Sequence, residues 1–189
     1  MLRVWWCRTP RQCFRKVVVG DSSNKLPQVH SWRYAAVAMN VVGFDDGPFP
    51  PTHRGSVLLV GAVCAGTRLD GIVSGVVQRD GTDSTRRMAE LIQKSQFRGH
   101  VRAVLLQGIA VGGFNVVDIH GLAALLGVGV LVVTRREADM VAVRRALFSD
   151  DPVERPPVRG ARRKWQLIQA AGQLELLGGQ SPADAGLSL

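Results

Sequence analysis

The stretch SVLLVGAVCAGTRLDGIVSGVVQRDG, residues 56–81, decides the fold. Its first half is almost wholly apolar or small and closes at a turn over Ala65–Arg68. From Leu69 onward, apolar residues alternate with small or polar ones, as in a strand with one face buried. The two halves therefore read as an antiparallel hairpin. Just upstream, NVVGFDDGPF (40–49) is a short buried strand ended by two acids and a Gly-Pro breaker. Three strands in succession make a meander.

Downstream the period changes. Residues 82–95 read as a helix capped by Asp83, with Met88, Leu91 and Ile92 on one face. VRAVLLQG (101–108) is a further buried strand, and NVVDIHGLAALLG (115–127) reads as a helix ended by Gly127. GVGVLVVTRR (127–136) is the last buried strand, and EADMVAVRRAL (137–147) an amphipathic helix. The order β-β-β-α-β-α-β-α predicts an α/β fold of the ribonuclease H–like kind. It has a five-stranded mixed sheet, a three-strand meander then parallel strands, with helices on both faces. A doubly wound flavodoxin-like sheet accounts for the second half but not for the opening hairpin.

Three regions follow. Residues 40–148 form the core. Residues 149–189 are a Pro- and Arg-rich connector with a C-terminal helical remnant, expected to be truncated. Residues 1–39 are a basic N-terminal extension without a sustained period, read as disordered or as a basic arm whose Trp side chains stack on nucleic acid. The net charge of +9 is distributed unevenly: +6 in residues 1–39, +1 in 40–151 and +2 in 152–189. The nearly neutral core means that the high pI alone does not argue for DNA binding. No run of about 18 apolar residues marks a membrane span. Cys7, Cys13 and Cys64 lack metal spacing and read as reduced thiols of a cytoplasmic protein.

Candidate chemistry gathers where strands end. Asp45 and Asp46 close the first strand, and a carboxylate there is costly unless paired, hydrogen-bonded or metal-bound. Asp46 also suits a simple turn before Pro48. Asp80 ends the third strand, and the meander returns it toward the end of the first, so Asp45 and Asp80 are expected to converge. Asp83 begins the following helix. The segment LLQGIAVGGFNVVD (105–118) carries Gly108, Gly112 and Gly113 into a helix, a geometry whose N–H groups suit a phosphate. It matches neither a Walker A loop nor the dinucleotide fingerprint. Asn115 and Asp118, three apart, would share a helical face. Arg135 and Arg136, just past the last strand, suit phosphate contact or a solvated helix entry. His53, His100 and His120 have no partner at metal spacing.

Taken in order, GFDDGPF, LDGIVSG with RDGTDST, GIAVGGFNVVDI and VVTRREADMVAVRRAL resemble the endonuclease dU family over roughly residues 40–170. That family is related in fold to endonuclease V and associated with metal-dependent cleavage of deoxyuridine-containing DNA. The resemblance implies an enzyme nicking damaged or single-stranded DNA with Mg²⁺ or Mn²⁺. It implies Asp45 and Asp80 as catalytic metal ligands; Asp118, from the following helix, is read beside them as a third ligand. Asp46, Asp83, Gln107 and Asn115 would support them, and Gly108, Gly112, Gly113, Arg135 and Arg136 would hold phosphate. Gly43-Phe44-Asp45 matches the Gly-apolar-Asp context of the endonuclease V pattern, and Arg79-Asp80 is similar to its Arg-Glu. Gln107-Gly108 stands where that pattern has Asp-Gly, so one negative charge is absent. The alternative is a catalytically impaired nucleic-acid-binding remnant of the same fold. A mononucleotide-binding α/β protein is a third reading.

Overall fold

The computed structural model describes residues 2–9, 12–13, 17–19, 39–134, 139–148 and 158–177. Strands β1 (Leu2–Thr9), β2 (Gln12–Cys13) and β3 (Val17–Val19) precede the meander β4 (Asn40–Asp46), β5 (Ser56–Ala65) and β6 (Arg68–Gln78). Then come α1 (Ser84–Gln93), β7 (Val101–Gln107), β8 (Ala110–Val111), β9 (Asn115–Val116), α2 (Ile119–Leu126), β10 (Gly129–Thr134), α3 (Met140–Phe148) and α4 (Ala161–Leu177).

The five core strands lie in the order β6-β5-β4-β7-β10. β5 is antiparallel to both β4 and β6, and β7 is parallel to β4 and β10. This is the ribonuclease H–like arrangement that the opening hairpin predicts. A tight turn at Gly66-Thr67 joins β5 to β6 and the loop 47–55 joins β4 to β5, whereas the parallel pairs need the crossovers through α1 and α2. Within the basic extension, β1 adds antiparallel to β10, with Trp5 opposite Val132 and Cys7 opposite Val130.

Period-2 alternation sorts each strand into two faces. Val42, Phe44, Leu59, Val63, Val77, Val104, Leu106, Val130 and Val132 form the buried face, closed by Met88, Ala89 and Ile92 of α1 and Leu122 and Ala123 of α2. Gly61 permits this packing: a Cβ there would lie 2.6 Å from the Phe44 ring and 2.7 Å from Val73. A second cluster joins Val116, Leu147 and Ile168, fastening α3 and α4 to the β8–β9 hairpin. On the other face of β5 and β6, Leu58, Ile72 and Val76 are about half exposed. The β5–β6 pairing slips once: Val63 faces Gly71 while Cys64 faces Leu69, leaving Asp70 as the extra residue of a bulge.

Met88→Ala should lower unfolding stability by about 2–5 kcal/mol, because it empties a fully buried site against the sheet. Leu125→Ala, at a residue more than half exposed, should change it by less than about 0.5 kcal/mol. Urea denaturation followed by far-UV circular dichroism distinguishes the two. Equal shifts would contradict the assigned packing.

Candidate active site

Because β5 alone of the core strands runs the other way, the carboxyl ends of β4, β6, β7 and β10 share one end of the sheet. Phe44 pairs with Leu106, so the next residues, Asp45 and Gln107, come side by side on adjacent strands, on the face away from the buried core. Both are exposed. Asp46 alternates to the opposite face, across from Leu59. Asp80 follows β6, two strands from β4, which separates their backbones by about 10 Å at ordinary strand spacing. The residue brought directly beside Asp45 is therefore Gln107, and Asp80 ends a more lateral strand. Arg135 and Arg136 lie outside the described residues.

Asp80 sits in a built nest. Its φ of 52° places it in the left-handed region, which Asp tolerates better than most residues. Its N–H donates to Gly112 O at 2.9 Å. The Phe114 N–H donates to its Oδ1 at 2.8 Å. Arg79 Nε lies 3.3 Å from its Oδ2. Gly113, at φ 83°, is required here because a Cβ would fall 2.5 Å from Asp80 Oδ1. The glycine segment expected to present N–H groups to a phosphate thus already holds one of the chain's own carboxylates.

Here sequence reading missed a hairpin. Residues 115–127 do not form one helix. Val111 pairs with Asn115 across the left-handed Gly112 and Gly113, and the helix starts only at Ile119. Adjacent glycines favour the turn, and the β-branched pair Val116-Val117 favours extension. Asn115 and Asp118 consequently do not share a helical face. Asp118 caps α2, its Oδ1 accepting from Gly121 N at 2.8 Å. Asn115 is fully buried. Its Nδ2 donates to Gln78 O (2.9 Å) and to Asp83 Oδ1 (2.7 Å), and its Oδ1 accepts from Ser84 N (3.1 Å). Asp83 occupies the N-cap position of α1 without making a side-chain cap bond. The cap comes from Asn115 on another strand, while Asp83 Oδ1 also accepts from Gln78 N at 3.2 Å.

Two cations frame this corner. Arg79 donates through Nη1 to Pro51 O and to His53 O, and its guanidinium lies 5.6 Å from the Phe49 ring centroid. It ties the β4–β5 connection to the end of β6. Lys164, only 2% exposed, reaches from α4 and donates to Asp80 O at 2.5 Å. Burial pushes its ammonium below the ordinary 10.5; Asp80 opposes that shift and Arg159 adds to it. The sequence held the signal for Lys164: Ala161, Lys164, Trp165, Ile168 and Ala171 fall on one helical stripe, so this lysine occupies a core position.

Among the described residues, no three His, Cys, Asp or Glu side chains gather closely enough to hold a metal ion. Asp80, Asp83 and Asp118 already accept backbone or side-chain hydrogen bonds. The donors that fit a hard cation are Asp45, whose Oδ1 takes only the neighbouring Asp46 N–H, and the adjacent Gln107 side-chain oxygen. One or two such ligands suit Mg²⁺, which keeps water and substrate phosphate in its shell.

The family model described as Endonuclease dU matches residues 37–181. The chain belongs to the endonuclease dU family. A UPF0215 protein of Deinococcus radiodurans is 43% identical over 150 residues, covering 79% of this chain and 73% of that protein. A UPF0215 protein of Methanothermobacter thermautotrophicus is 36% identical over 157 residues, covering 81% and 72%. A crystal structure from Archaeoglobus fulgidus, described as a protein of unknown function, aligns with a TM-score of 0.61 at 26% identity, covering 78% of this chain and 82% of that one. The endonuclease dU match begins just before β4 and ends beyond α4, so it includes the lysine that reaches Asp80. Among the described residues no helix is long and apolar enough to cross a membrane.

Asn115→Ala should cost about 1–3 kcal/mol by leaving the buried Ser84 N–H and Gln78 O without their amide partner. Urea unfolding would measure it, and a cost below 0.5 kcal/mol would refute the network. For Lys164, the depressed folded pKa means that the unfolded chain binds the proton more tightly. Stability should therefore rise with pH from the folded pKa toward 10.5. The difference in unfolding free energy between wild type and Lys164→Met, measured from pH 8 to 10.5, should show this slope.

Proposed function

We propose that the chain is a metal-dependent endonuclease that nicks damaged, deoxyuridine-containing DNA. Membership of the endonuclease dU family supports a nuclease. The observation that carries the residue assignment is Asp45, exposed at the carboxyl end of β4 beside Gln107, with little hydrogen bonding of its own. A bound divalent ion would lower the pKa of an attacking water and neutralise charge on the departing oxygen.

The chain's own residues supply the rest. Asp45 is the principal ligand, and Gln107 contributes a neutral oxygen beside it. Asp80, locked by Phe114 N–H and Arg79, shapes the lateral wall and adds negative charge at that end of the sheet. Arg135 and Arg136 come directly after β10 in the sequence, and two adjacent guanidinium groups suit phosphate contact.

One feature favours a second reading, a nucleic-acid-binding protein without catalysis. Gln107 supplies no charge, and Asp80 is already engaged. A single assay separates the two. The protein is incubated with a deoxyuridine-containing oligonucleotide and its undamaged counterpart, with Mn²⁺ or EDTA. Nicking of the deoxyuridine strand with Mn²⁺, lost with EDTA and reduced at least about 100-fold in Asp45→Asn, is expected. DNA binding without cleavage under all conditions would establish the second reading.

A further inference from the structure

Among the described residues β6 ends the sheet, and no strand of theirs pairs with its outer side. Exposed lateral edges are usually blunted, because their free N–H and C=O groups recruit other strands. In β6 both ends are blunted and the middle is not. At the Gln78 end, the outward main chain is fully used: its N–H donates to Asp83 Oδ1, and its C=O accepts from Gly81 N and Asn115 Nδ2. At the other end the bulge residue Asp70 is held by Arg68 Nε at 2.7 Å and Asn40 Nδ2 at 3.0 Å.

Between these ends, antiparallel alternation fixes which residues point outward. Since Gln78 bonds away from β5, so do the main-chain groups of Val76, Ser74 and Ile72. The side chains of all three are exposed, Ile72 at 60% and Val76 at 48%. The window is symmetric about Ser74. A second β6 running antiparallel across a two-fold axis at Ser74 would set Ile72 against Val76 of the other copy, and Val76 against its Ile72. On the opposite face each valine would meet a glycine: Val73 against Gly75, and Val77 against Gly71. No like charges are opposed on the strand.

Beside the window runs a groove of about 360 Å³, lined by Val73–Val76 of β6 and by Arg87, Glu90, Leu91 and Lys94 of α1. Both signs of charge stand along it, Glu90 between Arg87 and Lys94, so a two-fold contact can set opposite charges against each other.

We infer that the chain forms a homodimer through antiparallel pairing of β6 with β6 of a second copy, centred on Ser74. This does not depend on the nuclease reading, since the window lies on the side of β6 away from β4 and β7. The full chain at 1–100 µM should show a concentration-dependent dimer by sedimentation velocity. Ser74→Pro removes an outward N–H that none of the described residues accepts, and Val76→Lys places charge in the window. Each should weaken association at least tenfold, with an unchanged far-UV spectrum and melting still cooperative. Monomer throughout that range, or a dimer that survives both folded variants, would overturn the inference. Should Ser74→Pro fail to fold, Val76→Lys alone decides.

Discussion

A single buried amide organises the end of the sheet where the candidate chemistry lies. Asn115 bonds at once to the last residue of β6, to the acid that precedes α1 and to the first N–H of that helix. A buried polar side chain is tolerated only when satisfied, and the bonds made here tie the β8–β9 hairpin to both the end of β6 and the start of α1. With Asn115 in place, the β8–β9 hairpin is pinned against β6. Gly113 then lies close enough to Asp80 to exclude any larger residue. The Asp80 carboxylate receives Phe114 N–H because the hairpin arrives there. Ser84 Oγ adds a bond to Val116 O, and Thr85 Oγ1 accepts from Asp118 N, so the same seam runs on into α2.

This seam explains why the acids at that end differ in character. Asp83 and Asp118 serve the main chain and neighbouring amides, and Asp80 is held in a left-handed turn by four groups. Asp45 stands outside the seam, next to Gln107, with solvent around it. That end of the sheet thus has a hydrogen-bonded wall on one side and, on the other, a carboxylate held only by its neighbour's N–H. Lys164 brings the C-terminal helix into the same construction, since its buried ammonium ends on the Asp80 carbonyl.

The strand order was legible because each strand carries its own signal. The alternation of residues 69–78 marks a half-buried antiparallel strand, and the apolar runs at 101–107 and 129–134 mark central parallel ones. Asp45 was legible for a related reason: an acid at the end of a buried strand stands out against its neighbours. The hairpin at 110–116 was not legible. Two-residue strands give no period, and Gly-rich turns look alike whether they enter a helix or fold back. The role of Asn115 depends on partners more than 30 residues away, which no local pattern encodes. Lys164 was hidden differently: its neighbours Arg162 and Arg163 disguise a core position as part of a charged run.

The bulge at Asp70 has a consequence for how the hairpin is phased. Its carboxylate reaches across β5 to Asn40, so the closed end of the hairpin is anchored to the first residue of the central strand. Without that extra residue, every side chain from Ile72 to Gln78 would swap faces, and valines now facing the helices would point to water. A single-residue deletion far from the carboxyl end would therefore turn the whole outer strand inside out.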